Sequence, residues 1–285
     1  MATGTSGVTD LNSLFANIFE DAVFAVTDNL VAQRIVRNYI NGRGLQTRNL
    51  ATYPTLTAAA LSEETDMTTA TVFGKTSITT LTPGEIGMQV ILTDSMLETA
   101  QEDIRGDCAI ALSQGVAEKI DTDILAGGTS FTGGSLGAAG TSMTWGYAMA
   151  AEARLIAAGV PRPHYLVLHP YQWNDLAVAV APAATVTNAP SVQDMVAAEY
   201  IVGRAVGFDA IFVSQNVPTS STDAFALAFN PQALVFDLRR AMRLEPQRDA
   251  SLRAWELNMS CLYGAGVWRP AFGLYIKTDI TAPTS

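Results

Sequence analysis

The stretch MQVILTDSMLETAQEDIRGDCAIALSQGVAEKIDTDILAG, residues 88–127, holds the longest regular pattern in the chain. Its opening, within IGMQVILTD, is apolar and β-branched and reads as a strand. The remainder reads as a helix. Ser95 and Glu98 stand at capping-box spacing. Ile104, Cys108, Leu112, Val116, Ile120 and Ile124 then recur every fourth residue until Gly127-Gly128 closes the pattern. Unbroken from Met96 to Ala126, such a helix would be roughly 45 Å long at about 1.5 Å per residue, with Gly106 as the expected bend. A constant spacing of four drifts slowly around a straight helix. The stripe therefore predicts different packing partners at the two ends.

Upstream, Leu11, Leu14, Phe15, Ile18, Phe19, Ala22 and Val26 predict an amphipathic helix over residues 11–26, with Asp10 or Asn12 as cap. A second short helix is expected after Asp28, with Val31, Ile35 and Tyr39 as its stripe and Asn41-Gly42 as its stop. The segment RIVRNYINGRGLQTRNLATYP, residues 34–54, carries Arg34, Arg37, Arg43 and Arg48, and no acid occurs from Asn29 to Ser62. Thr, Val and Ile then dominate TATVFGKTSITTLTP, so residues 55–92 read as strands joined by turns. Such a hairpin has little core of its own and is expected to lie on something else.

Downstream, GGTSFTGGSLGAAGTSMT, residues 127–144, is glycine- and serine-rich and reads as a loop or linker. A mixed α/β region follows over about 145–235. WGYAMAAEARLIAAG reads as a helix ending at Gly159, HYLVLHP as a buried strand and YQWNDLAVAVA as the helix behind it. SVQDMVAAEY reads as a short helix, and DAIFVSQNVP and DAFALAFNP as short strands. RAWELNMSCLY and GLYIKTDIT read as strands of a closing sheet, separated by GAGVWRPAF.

The chain has 285 residues, a formal net charge of −10, 48% hydrophobic residues and only 15% charged residues. A typical soluble protein carries about 25% charged residues, so this surface is poor in charge, as surfaces covered by other subunits are. The acidic balance argues against a nucleic-acid-binding protein, which needs Lys and Arg on one face. Cys108 and Cys261 are isolated and expected to be reduced and buried. No signal peptide and no run of about 20 apolar residues is visible. His164 and His169 flank one strand and point to opposite faces, which fits structural roles. The glycine-rich loop lacks the Lys-Ser/Thr of a phosphate loop and the GxSxG of a nucleophile elbow. Glu63-Glu64 with Asp66, and Asp121 with Asp123, lack an EF-hand pattern. No catalytic residue, cofactor or metal site is expected.

The order of these pieces resembles the major capsid proteins of tailed bacteriophages, whose Johnson fold is shared by encapsulins. Three stretches carry the likeness. Residues 88–127 resemble the family's peripheral-domain strand and spine helix. AAGVPRPHYLVLHPYQWNDLA with AVGFDAIFVSQNVP resembles the axial-domain core. RRAMRLEPQRDASLRAWELNMSCLYGAGVWRPAFGLYIKTD resembles the closing segment, in which an Arg-Asp pair (Arg248-Asp249) precedes a strand, a Tyr-Gly turn, an Arg-Pro and a last strand.

The resemblance implies an α+β fold with an N-terminal arm (1–54), an extended β-hairpin loop (55–85), a peripheral-domain strand and spine helix (86–140), an α/β axial domain (141–245) and closing strands of the peripheral domain (246–285). It implies that Arg34, Arg37, Arg43, Arg48 and Tyr53 contact adjacent subunits, the arginines through acidic groups there. The hairpin, with Glu63, Glu64, Asp66, Phe73 and Lys75, would lie across the next spine helix. The implied function is an icosahedral head shell of hexamers and pentamers, assembled in the host cytoplasm. That shell would enclose double-stranded DNA without reading its sequence, with no membrane contact, and with portal, scaffolding or decoration proteins as further partners. The sequence shows no long acidic leader of the kind some relatives use as a scaffold. Lys75 is the one candidate donor for the Lys–Asn cross-link found in some relatives, and no nearby carboxylate identifies its catalysis. Two alternatives stay open: an encapsulin-like cargo compartment and a cytoplasmic α/β enzyme.

Overall fold

A computed structural model of the chain describes residues 31–40, 47–54, 56, 58, 60, 63, 73–99, 104–180, 201–202 and 206–283. The expected helices over 11–26 and 191–200 lie outside the described residues. The chain begins with α1 (Ala32–Ile35), β1 (Arg37–Ile40), β2 (Arg48–Thr52), β3 (Ser77–Leu81) and β4 (Gly84–Thr93). Next come α2 (Asp94–Thr99), α3 (Ile104–Ala126), β5 (Ser135–Gly137), α4 (Trp145–Ala157), β6 (Tyr165–Leu168) and α5 (Pro170–Val180). The last part holds β7 (Ile201–Val202), β8 (Ala210–Val213), β9 (Thr219–Ser220), β10 (Asp223–Phe229), β11 (Leu234–Asp249), β12 (Ala254–Val267) and β13 (Gly273–Asp279).

The stripe read from the sequence is the buried face of α3. Cys108, Leu112, Val116, Ile120 and Ile124 are all buried there, with Ile104 packed at the margin. They meet a four-stranded sheet of order β1-β11-β12-β4, chiefly through Leu234, Phe236, Leu257 and Met259. At about 1.5 Å per residue α3 runs roughly 35 Å. The expected cap differs. Thr93 Oγ1, not the Ser95 hydroxyl, accepts the Met96 N–H at 3.3 Å, because the helical turn begins at Asp94.

A second sheet has the order β5-β13-β10-β6-β8-β7, with β9 beside β10. Its core, including Leu166, Leu168, Ile211, Ala226 and Leu274, packs on α4 and α5. The Thr144 side chain accepts the Tyr147 N–H to open α4. Gly159 closes it at φ +67°, with its N–H on the Ile156 carbonyl and the Val160 N–H on the Leu155 carbonyl, the paired bonds of a Schellman ending.

Several expectations are corrected. The second short helix stops at Ile35, and Arg37–Ile40 is a strand parallel to β11, with Tyr39 opposite Asp237. Backbone pairing with a distant strand overrides a three-residue helical stripe. The 127–144 stretch is not all loop, since Ser135–Gly137 pairs in parallel with β13. The hairpin begins before residue 55, because Arg48–Thr52 pairs with Ser77–Leu81. The boundary at 245/246 falls inside β11, and the last strand, β13, pairs with β10 of the second sheet. Finally, β12 runs unbroken through Gly264-Ala265-Gly266, where a Tyr-Gly turn was expected. A Cβ on Gly266 would lie 2.6 Å from Leu81 Cδ1. These glycines keep the strand low enough for Leu81 to rest on it.

Candidate functional site

The face of the four-stranded sheet turned away from α3 carries the base of the β2–β3 hairpin. Leu50 and Leu81 project from that base onto Val235 and Trp268, with Tyr39 alongside. Polar contacts fix the same seat. Arg48 Nε and Nη2 donate to the two carboxylate oxygens of Asp237 at 3.0 and 3.1 Å. The Arg48 guanidinium also stacks over the Tyr39 ring at 4.6 Å, and Arg37 stacks over Trp268 at 4.8 Å. The expectation that Arg48 pairs with an adjacent subunit is therefore corrected. Its partner lies in its own chain, because parallel pairing of β1 with β11 sets Tyr39 opposite Asp237 beneath the incoming guanidinium.

Beyond this root the hairpin leaves the body. Tyr53 and Phe73 stack flat on each other at 5.0 Å, continuing the pairing past Thr52 and Ser77. They stay 50% and 62% exposed, and Leu56 and Ile78 are exposed as well. Glu63 and Lys75 are exposed. Arg43, Glu64 and Asp66 lie outside the described residues. A two-stranded ribbon with its largest side chains in water has no local source of stability.

Arg34, at the start of the arm, is exposed, and its charge bears on Asp121. Asp121 is turned inward from α3, and its two oxygens accept the N–H groups of Val31 and Ala32 at 3.1 and 3.2 Å. Burial raises its pKa, and those two N–H groups and the Arg34 charge act in the opposite direction. This carboxylate ties the arm to the long helix. Asp123, two residues on, faces elsewhere and accepts from Tyr263 Oη at 2.6 Å and Lys119 Nζ at 2.7 Å. The Asp121/Asp123 pair is thus split between two structural contacts, and no metal-ligating cluster occurs among the described residues.

The histidines also sit in structural contacts. His164 Nδ1 lies 2.9 Å from Glu152 Oε2, and its Nε2 lies 3.2 Å from the Val160 carbonyl. Arg162 completes the cluster by donating to Glu152 Oε1. His169 Nδ1 accepts the Tyr171 N–H at 3.2 Å, and burial lowers its pKa. Both thiols are buried, which raises the Cys108 pKa and pushes Cys261 up to about 11.

The sequence reading missed Asp237, Gly264 and Gly266. A lone acid inside the apolar run of LVFDLRR was the one available signal for Asp237. Nothing local marked the glycines as a seat.

A long helix on a mixed sheet, a second mixed sheet and a hairpin seated on the first make up this subunit. The family model for phage capsid proteins matches residues 76–276, and the chain belongs to that family. A solved Mycobacterium phage Che8 chain is similar with a TM-score of 0.70 at 17% identity, over 87% of this chain and 90% of that one. The cyanophage Pam1 capsid gives 0.66 at 10% identity, over 87% and 89%. A virus-like particle from Pyrococcus furiosus gives 0.61 at 10% identity, over 92% and 98%. These three likenesses concern the fold. No curated protein sequence matches the chain.

Proposed function

We propose that copies of this chain close into the hexamers and pentamers of an icosahedral head shell that encloses double-stranded DNA. Assembly takes place in the host cytoplasm, with a portal and scaffolding or decoration proteins as accessory partners. The observation that carries this reading is the hairpin. Its root is pinned to its own body by Leu81 and by Arg48 on Asp237, while Tyr53 and Phe73 beyond the root remain in water. An element held rigidly at one end and unsatisfied at the other is built to reach a neighbour. In this reading Tyr53, Glu63, Glu64, Asp66, Phe73 and Lys75 contact the next subunit's long helix, and Arg34, Arg37 and Arg43 meet acidic groups on adjacent subunits. The net charge of −10 keeps packed DNA from adhering to the wall.

Each contact is weak alone, and one subunit engages several neighbours, so avidity stabilises the shell. Electron microscopy of the purified chain should show hollow particles of megadalton mass. A small oligomer in their place sinks the shell reading. Replacing Tyr53 and Phe73 by Ser should abolish particles while leaving the subunit's melting temperature in place. Unchanged particle yield rules out the contact role of the hairpin.

A further inference from the structure

The chain passes between its two sheets at two neighbouring crossings, and both meet the start of the arm strand β1. Residues 230–233 lead from β10 to β11, and residues 268–272 lead from β12 to β13. The N–H groups of Trp268 and Arg269 both donate to the Ala233 carbonyl, at 2.8 and 3.4 Å, and the Arg37 N–H donates to the Pro231 carbonyl at 3.1 Å. The side chains of this junction alternate between cations and rings. Arg269 stacks on Phe272 at 5.0 Å and on the Trp268 indole at 4.6 Å. Arg37 stacks on the same indole at 4.8 Å and on Tyr39 at 5.2 Å, and Arg48 follows on Tyr39 at 4.6 Å.

The charges in this row are unevenly balanced. Arg48 has Asp237, which also takes Arg239. Arg37 and Arg269 have no carboxylate partner among the described residues, although their guanidinium carbons share one indole and so stand less than about 10 Å apart. The donors are unevenly satisfied too. Trp268 is only 9% exposed, and its indole N–H has no acceptor among the described residues; the Nε–H of Arg269 is buried and has none either. Buried donors are costly to leave unpaired, and folded proteins nearly always match them. Stacking uses the faces of the two guanidinium groups and leaves in-plane N–H donors available. Arg37 is exposed and Arg269 half-buried, which gives a small ion a way in. A nucleic-acid duplex is too broad to touch an indole so deeply covered.

We infer that Arg37, Arg269 and the Trp268 indole N–H form a binding site for a small tetrahedral dianion, inorganic phosphate or sulfate. A carboxylate neutralises one of the two charges, whereas a dianion neutralises both and offers more acceptor oxygens to the converging donors. Bound there, the ion joins β1 to both crossings and holds the arm strand at the junction of the two sheets. Arg37 has donors enough to serve the ion and still meet an acid of an adjacent subunit. The site is complete within one chain and does not depend on the shell reading.

Titrating the dissociated subunit with sodium phosphate at neutral pH, and following the indole N–H resonances by proton–nitrogen correlation spectra, tests this directly. The chain has 4 tryptophans, and Trp268→Phe, which keeps a ring for the stack, identifies the Trp268 resonance. That resonance should move saturably with phosphate and with sulfate, sodium chloride holding the ionic strength constant. Arg269→Met should weaken the affinity at least about tenfold, one factor of ten being about 1.4 kcal/mol. Arg37→Met, at an exposed position, should weaken it likewise and serves as the second variant if Arg269→Met lowers the urea midpoint. No movement, or movement that never saturates, means an adventitious ion only and overturns the site. An equal response to acetate overturns the dianion assignment. A stronger response to a short DNA duplex than to phosphate overturns the free-ion assignment. Unchanged affinity in both arginine variants overturns the choice of residues. None of these outcomes bears on whether particles form, so the shell reading stands or falls separately.

Discussion

Arg48 and Asp237, 189 residues apart, meet in a two-pronged ion pair that locks the projecting hairpin to the sheet beneath it. Arg239 Nε reaches the same carboxylate at 2.7 Å. Asp237 is fully buried, while Arg48 keeps 21% of its side chain in contact with solvent. The acid is thus the more deeply committed partner.

That asymmetry sets an order of effects. Asp237→Asn leaves a buried guanidinium without its counter-charge and should destabilise the dissociated subunit by about 3–5 kcal/mol. Arg48→Met leaves Asp237 its contact with Arg239, and Arg48 is partly solvated, so about 1–2 kcal/mol is expected. Urea unfolding of the two variants compares them. Equal losses, or a larger loss for Arg48→Met, contradict the account.

Leu81 resting on Gly264 and Gly266 gives a steric prediction. Gly266→Ala places a methyl group against Leu81 Cδ1, and overpacking of this kind costs about 1–3 kcal/mol. Adding Leu81→Ala removes the obstruction. The double variant should therefore be less destabilised than the sum of the single changes, by about 0.5 kcal/mol or more. Strict additivity would show that the two positions do not touch.

Alkaline pH should loosen the contact between the long helix and β12. Burial pushes the Cys261 thiol up to about 11 from its ordinary 9.0. Tyr263 is raised as well, first by burial and then by its hydrogen bond to Asp123. Both groups are held neutral in the folded state. Their contribution is complete below about pH 9 and declines as pH rises toward 11, at up to about 1.4 kcal/mol per pH unit for each proton released on unfolding. Chemical denaturation from pH 8 to 11 should show this decline, and Cys261→Ala should flatten its first part. A profile that is level over this range, or identical in the variant, refutes the assignment.

The long helix was legible because its signal is local. Cys108, Leu112, Val116, Ile120 and Ile124 repeat on one face, and any fold that buries the helix must bury that face. Strands β4, β6 and β10 were legible for the same reason. The short helix expected around Tyr39 was not, since three apolar residues at helical spacing cannot compete with a strand whose partner lies about two hundred positions away.

By itself, the sequence determined the buried stripe of α3, the strand before it, the helix-capped α/β region and an unbalanced basic arm followed by a threonine-rich hairpin. Periodicity and charge are properties of neighbouring residues and survive without coordinates. The tertiary structure alone decided that Arg48 meets Asp237 of its own chain, that Gly264 and Gly266 form a seat rather than a turn, and that Tyr39 lies in a strand beside β11. Each depends on which distant strand lies alongside. That choice is set by how whole faces pack, so no local pattern encodes it.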